Sequence, residues 1–130
     1  MTIHSIRKQS GVMLIEALIG LLIFSMGILA LVGMQATAVS QVTDAKYRSE
    51  AAYLADRMIG EIWVNRGTNV PALSAAWATD VGNALPNATG ANAPTVVVAG
   101  NQLTVTVFWQ APGASAVSNH IAIAYLDFNP

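Results

Sequence analysis

The groups able to do chemistry in this 130-residue chain are few: seven Asp and Glu, six Lys and Arg, two histidines and no cysteine. His4 lies near the start and His120 in the last quarter, where Asp127 is the one carboxylate close to it in sequence. A hydrolytic triad or a metal centre needs several His, Cys, Asp or Glu to converge, and this inventory is too small to assemble either. No thiol is present to serve as nucleophile, metal ligand, disulfide partner or lipid-attachment point. No glycine-rich phosphate loop occurs. The residues predict a protein without catalysis, metal or other cofactor, and His120 reads as a surface or edge-strand side chain.

One acid is out of place. Between Val12 and Met34, 18 of 23 residues are hydrophobic, and Glu16 sits in the first turns of that run. No charge follows it until Asp44. An ionised acid inside a bilayer helix costs about 2.5–3.5 kcal/mol in the aspartate-like case, so Glu16 calls for a cation or for headgroup contact at the membrane edge. No basic residue within helical reach follows it.

The element that carries Glu16 is of membrane length. Twenty-three residues at about 1.5 Å each span roughly 35 Å, against a hydrocarbon core of about 30 Å. Arg7 and Lys8 precede the run, while the first charges after it, Asp44 and Lys46, cancel. The positive-inside rule puts residues 1–11 in the cytoplasm and the rest outside. A conventional secretory signal is the alternative, because Ala36-Thr37-Ala38 has the small-x-small form of a cleavage site and would leave a chain starting at Val39. The length of the apolar run and the presence of Glu16 oppose it.

Arg7-Lys8-Gln9-Ser10-Gly11 followed by Val12-Met13-Leu14-Ile15-Glu16 resembles the class III signal of type IV prepilins and pseudopilins. That pattern is a short basic leader ending in glycine, then apolar residues, then glutamate fifth after the cut. The resemblance implies that a prepilin peptidase removes residues 1–11 by cutting between Gly11 and Val12, and that Val12 becomes the N-methylated amino terminus. It also implies that Glu16 is an assembly contact, pairing with the terminal ammonium of a neighbouring subunit. Val12 stands where most members carry phenylalanine or methionine. Glycine before the cut has a physical logic, since it lets backbone approach the peptidase without a side chain in the way.

Beyond the membrane-length part 12–34, no proline occurs before Pro71, and Gly67 is a plausible helix stop. The spacing predicts one helix over 12–66. Its second half carries Ala51, Leu54, Ala55, Met58, Ile59 and Ile62 as an apolar stripe fit to receive a sheet, with Met58 and Trp63 as core candidates. The other sides hold four basic and four acidic residues, with Asp44 and Arg48 in the favourable four-residue order. Gly20 and Gly27 share one face, and such small residues let neighbouring helices approach.

Residues 67–94 read as a loop region rich in Ala, Asn, Pro and Gly, with a short helix around 73–79 and a chance glycosylation tripeptide at Asn87-Ala88-Thr89. The final third reads as strands. Thr95–Ala99 is β-branched, Gly100-Asn101 signals a two-residue hairpin, Leu103, Val105, Val107 and Trp109 alternate with Thr104, Thr106 and Phe108, and Ile121, Ile123 and Tyr125 alternate again. The expected fold class is α+β: a long N-terminal helix packed on a small antiparallel sheet formed within 67–130, which is also what the pilin resemblance implies. Glu61–Arg66, the Leu85-Pro86-Asn87 loop and Val105–Trp109 make the chain most similar to PilV-type minor pilins, with the minor pseudopilin I of type II secretion as the alternative.

By that resemblance the partners are prepilin peptidase, other minor pilins, the major pilin, a tip adhesin and the inner membrane. The chain would be a single-pass inner-membrane protein with a periplasmic head before it enters a type IV pilus. The third alternative, from another class, is a secreted or anchored periplasmic binding domain. A formal charge of -1 speaks against nucleic acid as a partner, and nothing points to a small-molecule substrate. Residues 67–130 hold just two charges, Asp80 and Asp127. Such depletion fits either a head largely covered by neighbouring subunits, since interface centres are poor in charge, or a neutral polar coat of Asn, Thr, Ser and Ala.

Overall fold

The computed structural model describes residues 10–127, and Arg7, Lys8 and His4 lie outside the described residues. The chain divides at Gln41/Val42 into two units, and the first helix passes through both. The fold is α+β, a long helix followed by a shorter one and a three-stranded antiparallel sheet.

Helix α1 is Ser10–Val64, 55 residues. In the first unit, Val12 through Met34 has every large apolar side chain exposed and none buried. In the second unit one stripe turns inward: Ala51, Leu54, Ala55, Met58 and Ile62 are buried and Ile59 packs partly against them. Trp63 corrects its expected place in the core, for it is 42% exposed. It follows Ile62 by about 100° around the helix, which carries it off the stripe.

The end of α1 is set by backbone geometry. The Gly67 N–H donates to the Ile62 carbonyl at 2.9 Å and the Arg66 N–H to the Trp63 carbonyl at 3.1 Å, a Schellman closure that satisfies two orphan carbonyls. Gly67 was the expected stop, yet Arg66 also takes a left-handed conformation, φ 50°. A β-carbon there strains against the carbonyl, a position where glycine is the usual choice.

Helix α2, Val70–Ala84, contains the short helix expected around 73–79 and extends it at both ends into what was expected as loop. Asn69 turns the chain in a left-handed conformation, φ 58°, and Pro71 falls in the first turn, where its missing N–H has no intrahelical partner to lose. Trp77 and Val81 are buried, with Leu85 and Ala88 after the helix closing the same core. The Trp77 indole N–H donates to the Leu54 carbonyl at 2.8 Å, fastening α2 to the buried stripe of α1. After a short 3-10 turn, Gly90–Asn92, the chain enters the sheet.

Strands β1 (Thr95–Ala99), β2 (Gln102–Trp109) and β3 (Ser118–Tyr125) lie in the order β1-β2-β3, all antiparallel. Gly100 and Asn101 join β1 to β2, pairing Ala99 with Gln102, and Gly100 supplies the positive φ, 63°, that a tight hairpin requires. β2 alternates as expected, with Leu103, Val105, Val107 and Trp109 all buried. In β3 the alternation does mark a strand, but its large residues face away from the core. Ala122 lies across from Val105 and Ala124 from Leu103 on the inner side, while Ile121, Ile123 and Tyr125 are 53%, 56% and 65% exposed. Small residues meet the packed interior and large ones the outside.

Candidate functional site

Gly11, Val12 and Glu16 all lie on α1. Val12 and Glu16 are one helical turn apart, a spacing that places both on one face together with Ile15 and Ile19. That face is open. Val12, Ile15 and Ile19 are 54–62% exposed, and no hydrogen bond or ion pair within the described residues engages Glu16. The carboxylate stands among aliphatic side chains with its electrostatic demand unmet by the described residues.

The rest of this helical segment is chemically prepared for lipid. It is long and apolar enough to cross a membrane, with its most apolar window entirely unburied. Its hydroxyls are satisfied locally: Ser25 Oγ donates to the Leu21 carbonyl at 2.7 Å and Thr37 Oγ1 to the Gly33 carbonyl at 3.2 Å. Such back-bonding keeps polar groups paired where water is absent. The added β-carbon of Gly20, Gly27 or Gly33 would meet nothing within 4 Å, so these glycines leave shallow open notches. The same helix continues without interruption through Ala36-Thr37-Ala38.

In the second unit three charged residues serve architecture. Arg57 donates from Nε to Glu61 and from Nη2 to Asp80, each at 2.9 Å, so one guanidinium ties two turns of α1 to α2. Hydrogen bonding to Glu61, then to Asp80, raises the Arg57 pKa above its ordinary value. The guanidinium is charged throughout the range below that value, so its share of the linkage is lost as pH climbs beyond it. Both contacts are solvent-exposed, which keeps their weight modest. Asp44 and Arg48, though in the favourable four-residue order, form no ion pair, and among the described residues the ion pairs are those of Arg57.

No group of three or more His, Cys, Asp and Glu that could hold a metal occurs among the described residues. His120 is half-buried on the edge strand β3, opposite Val107. Asn87 donates its side-chain amide to Gln110 Oε1 at 2.8 Å, and the Gln110 backbone N–H donates to the Pro86 carbonyl at 3.0 Å, which pins the 86–87 turn to the chain after β2.

The outward side of the sheet forms a second candidate surface. Across it run Val97, Thr104 and Ile123 in one row, and Thr95, Thr106 and Ile121 in the next, with no charge in any of the three strands. Native edge strands are commonly guarded by charged residues or proline, and neither β1 nor β3 contains one. Asp80 is spent on Arg57, so Asp127 is the unpaired charge of the described part of the head.

No protein-family model, no curated protein and no solved structure matches this chain.

Proposed function

We propose that the chain is a minor pilin, made as a precursor, cut between Gly11 and Val12 by a prepilin peptidase, N-methylated at Val12 and assembled into a type IV pilus, with no catalysis of its own. The observation that carries this reading is the lone carboxylate of Glu16, without a partner among the described residues, one turn after Val12 in a helix otherwise apolar enough to cross a membrane. An isolated charge in a low-dielectric setting is worse than a paired one. The ammonium created at Val12 of a neighbouring subunit is a cation of the right sign at the right depth. Arg7 and Lys8 would hold the leader on the cytoplasmic side of the inner membrane until the cut.

The uncharged outer face of the sheet supports the same reading. It suits contact with other minor pilins, the major pilin or a tip adhesin, where charge depletion is the compositional mark of an interface centre. The length of the apolar run and the presence of Glu16 within it argue against the secretory alternative.

Mass spectrometry of the mature protein tests the processing step. N-methyl-Val12 is the expected terminus, and a terminus at Val39 would refute the reading in favour of a secreted binding domain. Glu16→Ala tests the assembly step. Cleavage after Gly11 continues at wild-type level while incorporation into filaments falls, and wild-type incorporation would remove the pairing role. Loss of piliation in a deletion strain, as against loss of secretion, separates the pilus from a type II pseudopilus.

A further inference from the structure

We infer that the free edge of β3 is a self-association site, at which two copies of this chain join their sheets edge to edge in a two-fold antiparallel pair; the inference goes beyond the pilin reading and does not depend on it. The two-residue hairpin at Gly100-Asn101 makes Ala99 and Gln102 a hydrogen-bonded pair. Backbone groups then alternate along β2: Gln102, Thr104 and Thr106 bond to β1, and Leu103, Val105 and Val107 bond to β3. Their partners on β3 are Ala124, Ala122 and His120, and the Leu126 N–H continues the series to the Asn101 carbonyl at 2.6 Å. Asn119, Ile121, Ile123 and Tyr125 therefore aim their N–H and C=O groups at the open edge, and among the described residues none of these groups has a hydrogen-bond partner. The opposite edge offers less, because only Val96 and Val98 of the five residues in β1 point their backbone groups away from β2.

One register between two copies engages all four of these residues: Asn119 opposite Tyr125 and Ile121 opposite Ile123, with Ala122 on the two-fold axis. The side chains suit it. Ile121, Ile123 and Tyr125 are more than half exposed on the outer face, where aliphatic meets aliphatic and amide meets phenol across the join. On the inner face the residue that meets itself is alanine, and His120 falls opposite Ala124 rather than its own copy. With no charge on β3, two identical edges approach without like-charge cost. Any extended strand could bond such an edge. The symmetric match of side chains, the small central alanine and the absence of charge are what single out a second copy. Joining consumes β3 of both copies and leaves the two short β1 strands as the outer edges, so the assembly closes as one continuous sheet.

The test uses the full-length chain in detergent micelles, read by sedimentation and by amide exchange at several protein concentrations. Dimers are expected. The amides of Asn119, Ile121, Ile123 and Tyr125 gain protection as concentration rises, while those of His120, Ala122 and Ala124 are protected throughout. Ile121→Lys or Ile123→Glu alone weakens the dimer about tenfold, because symmetry makes each change strike twice. The two together restore it to within about threefold of wild type, since the introduced charges then face each other with opposite sign. Near-ultraviolet circular dichroism checks that each variant remains folded. The chain has no cysteine of its own, so Ala122→Cys gives disulfide-linked dimers at the axis, where facing Cα atoms lie about 4.5 Å apart, and Val97→Cys on β1 does not. A monomeric chain, or a dimer indifferent to the charge exchange and unlinked at position 122, overturns the inference. Edge protection that appears only when a different polypeptide is added also overturns it and assigns the edge to that partner.

Discussion

Replacing Trp77 by Phe isolates the contact that seats α2 on α1. The indole is 1% exposed, and its N–H donates to the Leu54 carbonyl at 2.8 Å. That carbonyl belongs to the interior of α1 and keeps its own helical partner, so the substitution removes a hydrogen bond without orphaning an acceptor. The lost bond is worth about 1 kcal/mol. The benzyl ring also leaves space for about two ring carbons, roughly 1.5 kcal/mol at methylene-like values. The expected destabilisation is about 2–3 kcal/mol, and Trp77→Ala extends it to about 3–5 kcal/mol. Urea unfolding of the detergent-solubilised chain, followed by near-ultraviolet circular dichroism, measures this against Val64→Ala. Val64 is 83% exposed, so that control stays within about 0.5 kcal/mol of wild type. A Trp77→Phe variant indistinguishable from the control would refute the docking of α2 through this bond.

Other substitutions probe the backbone. Arg66→Gly relieves the left-handed strain at the end of α1, and the same titration should show a gain of about 0.5–1 kcal/mol. Gly60→Ala meets open space on α1 and gains about 0.5–1 kcal/mol from helix propensity. Gly82→Ala falls short of that gain, because its new β-carbon would lie 2.9 Å from the Thr89 Cγ2 methyl. Removing that methyl with Thr89→Ser restores the increment, and additivity in this double-mutant cycle would contradict the close approach.

The parts of the fold legible in the sequence are those where periodicity and turn chemistry agree. The three- and four-residue spacing of Ala51, Leu54, Ala55, Met58 and Ile62 marked a buried face, and Gly100-Asn101 between β-branched runs marked the hairpin and its register. Helix α2 was obscured because Ala, Asn, Pro and Gly dominate its neighbourhood. The signal was present in Leu73, Trp77, Val81 and Leu85, four residues apart, with Pro71 in the first turn. The facing of β3 could not be read from alternation, which fixes two sides of a strand without saying which is inward; pairing with Leu103 and Val105 decides it. Likewise no spacing rule within α1 reveals that Arg57 reaches across to Asp80, a contact that exists only once α2 has formed. That Gly11, Val12 and Glu16 share one helix was legible, since this placement depends on α1 alone.

The bare outer face of the sheet has a consequence for how the head senses its surroundings. With no charge on β1, β2 or β3, contacts made through Val97, Ile121, Ile123 and Tyr125 are blind to ionic strength. Brine that strips electrostatic complexes leaves such an association in place, and excluded salts such as sulfate tighten it. Cooling, by contrast, loosens it as the drive to bury apolar surface wanes. Cold buffer free of such excluded salts is the condition that would weaken any association made through this face.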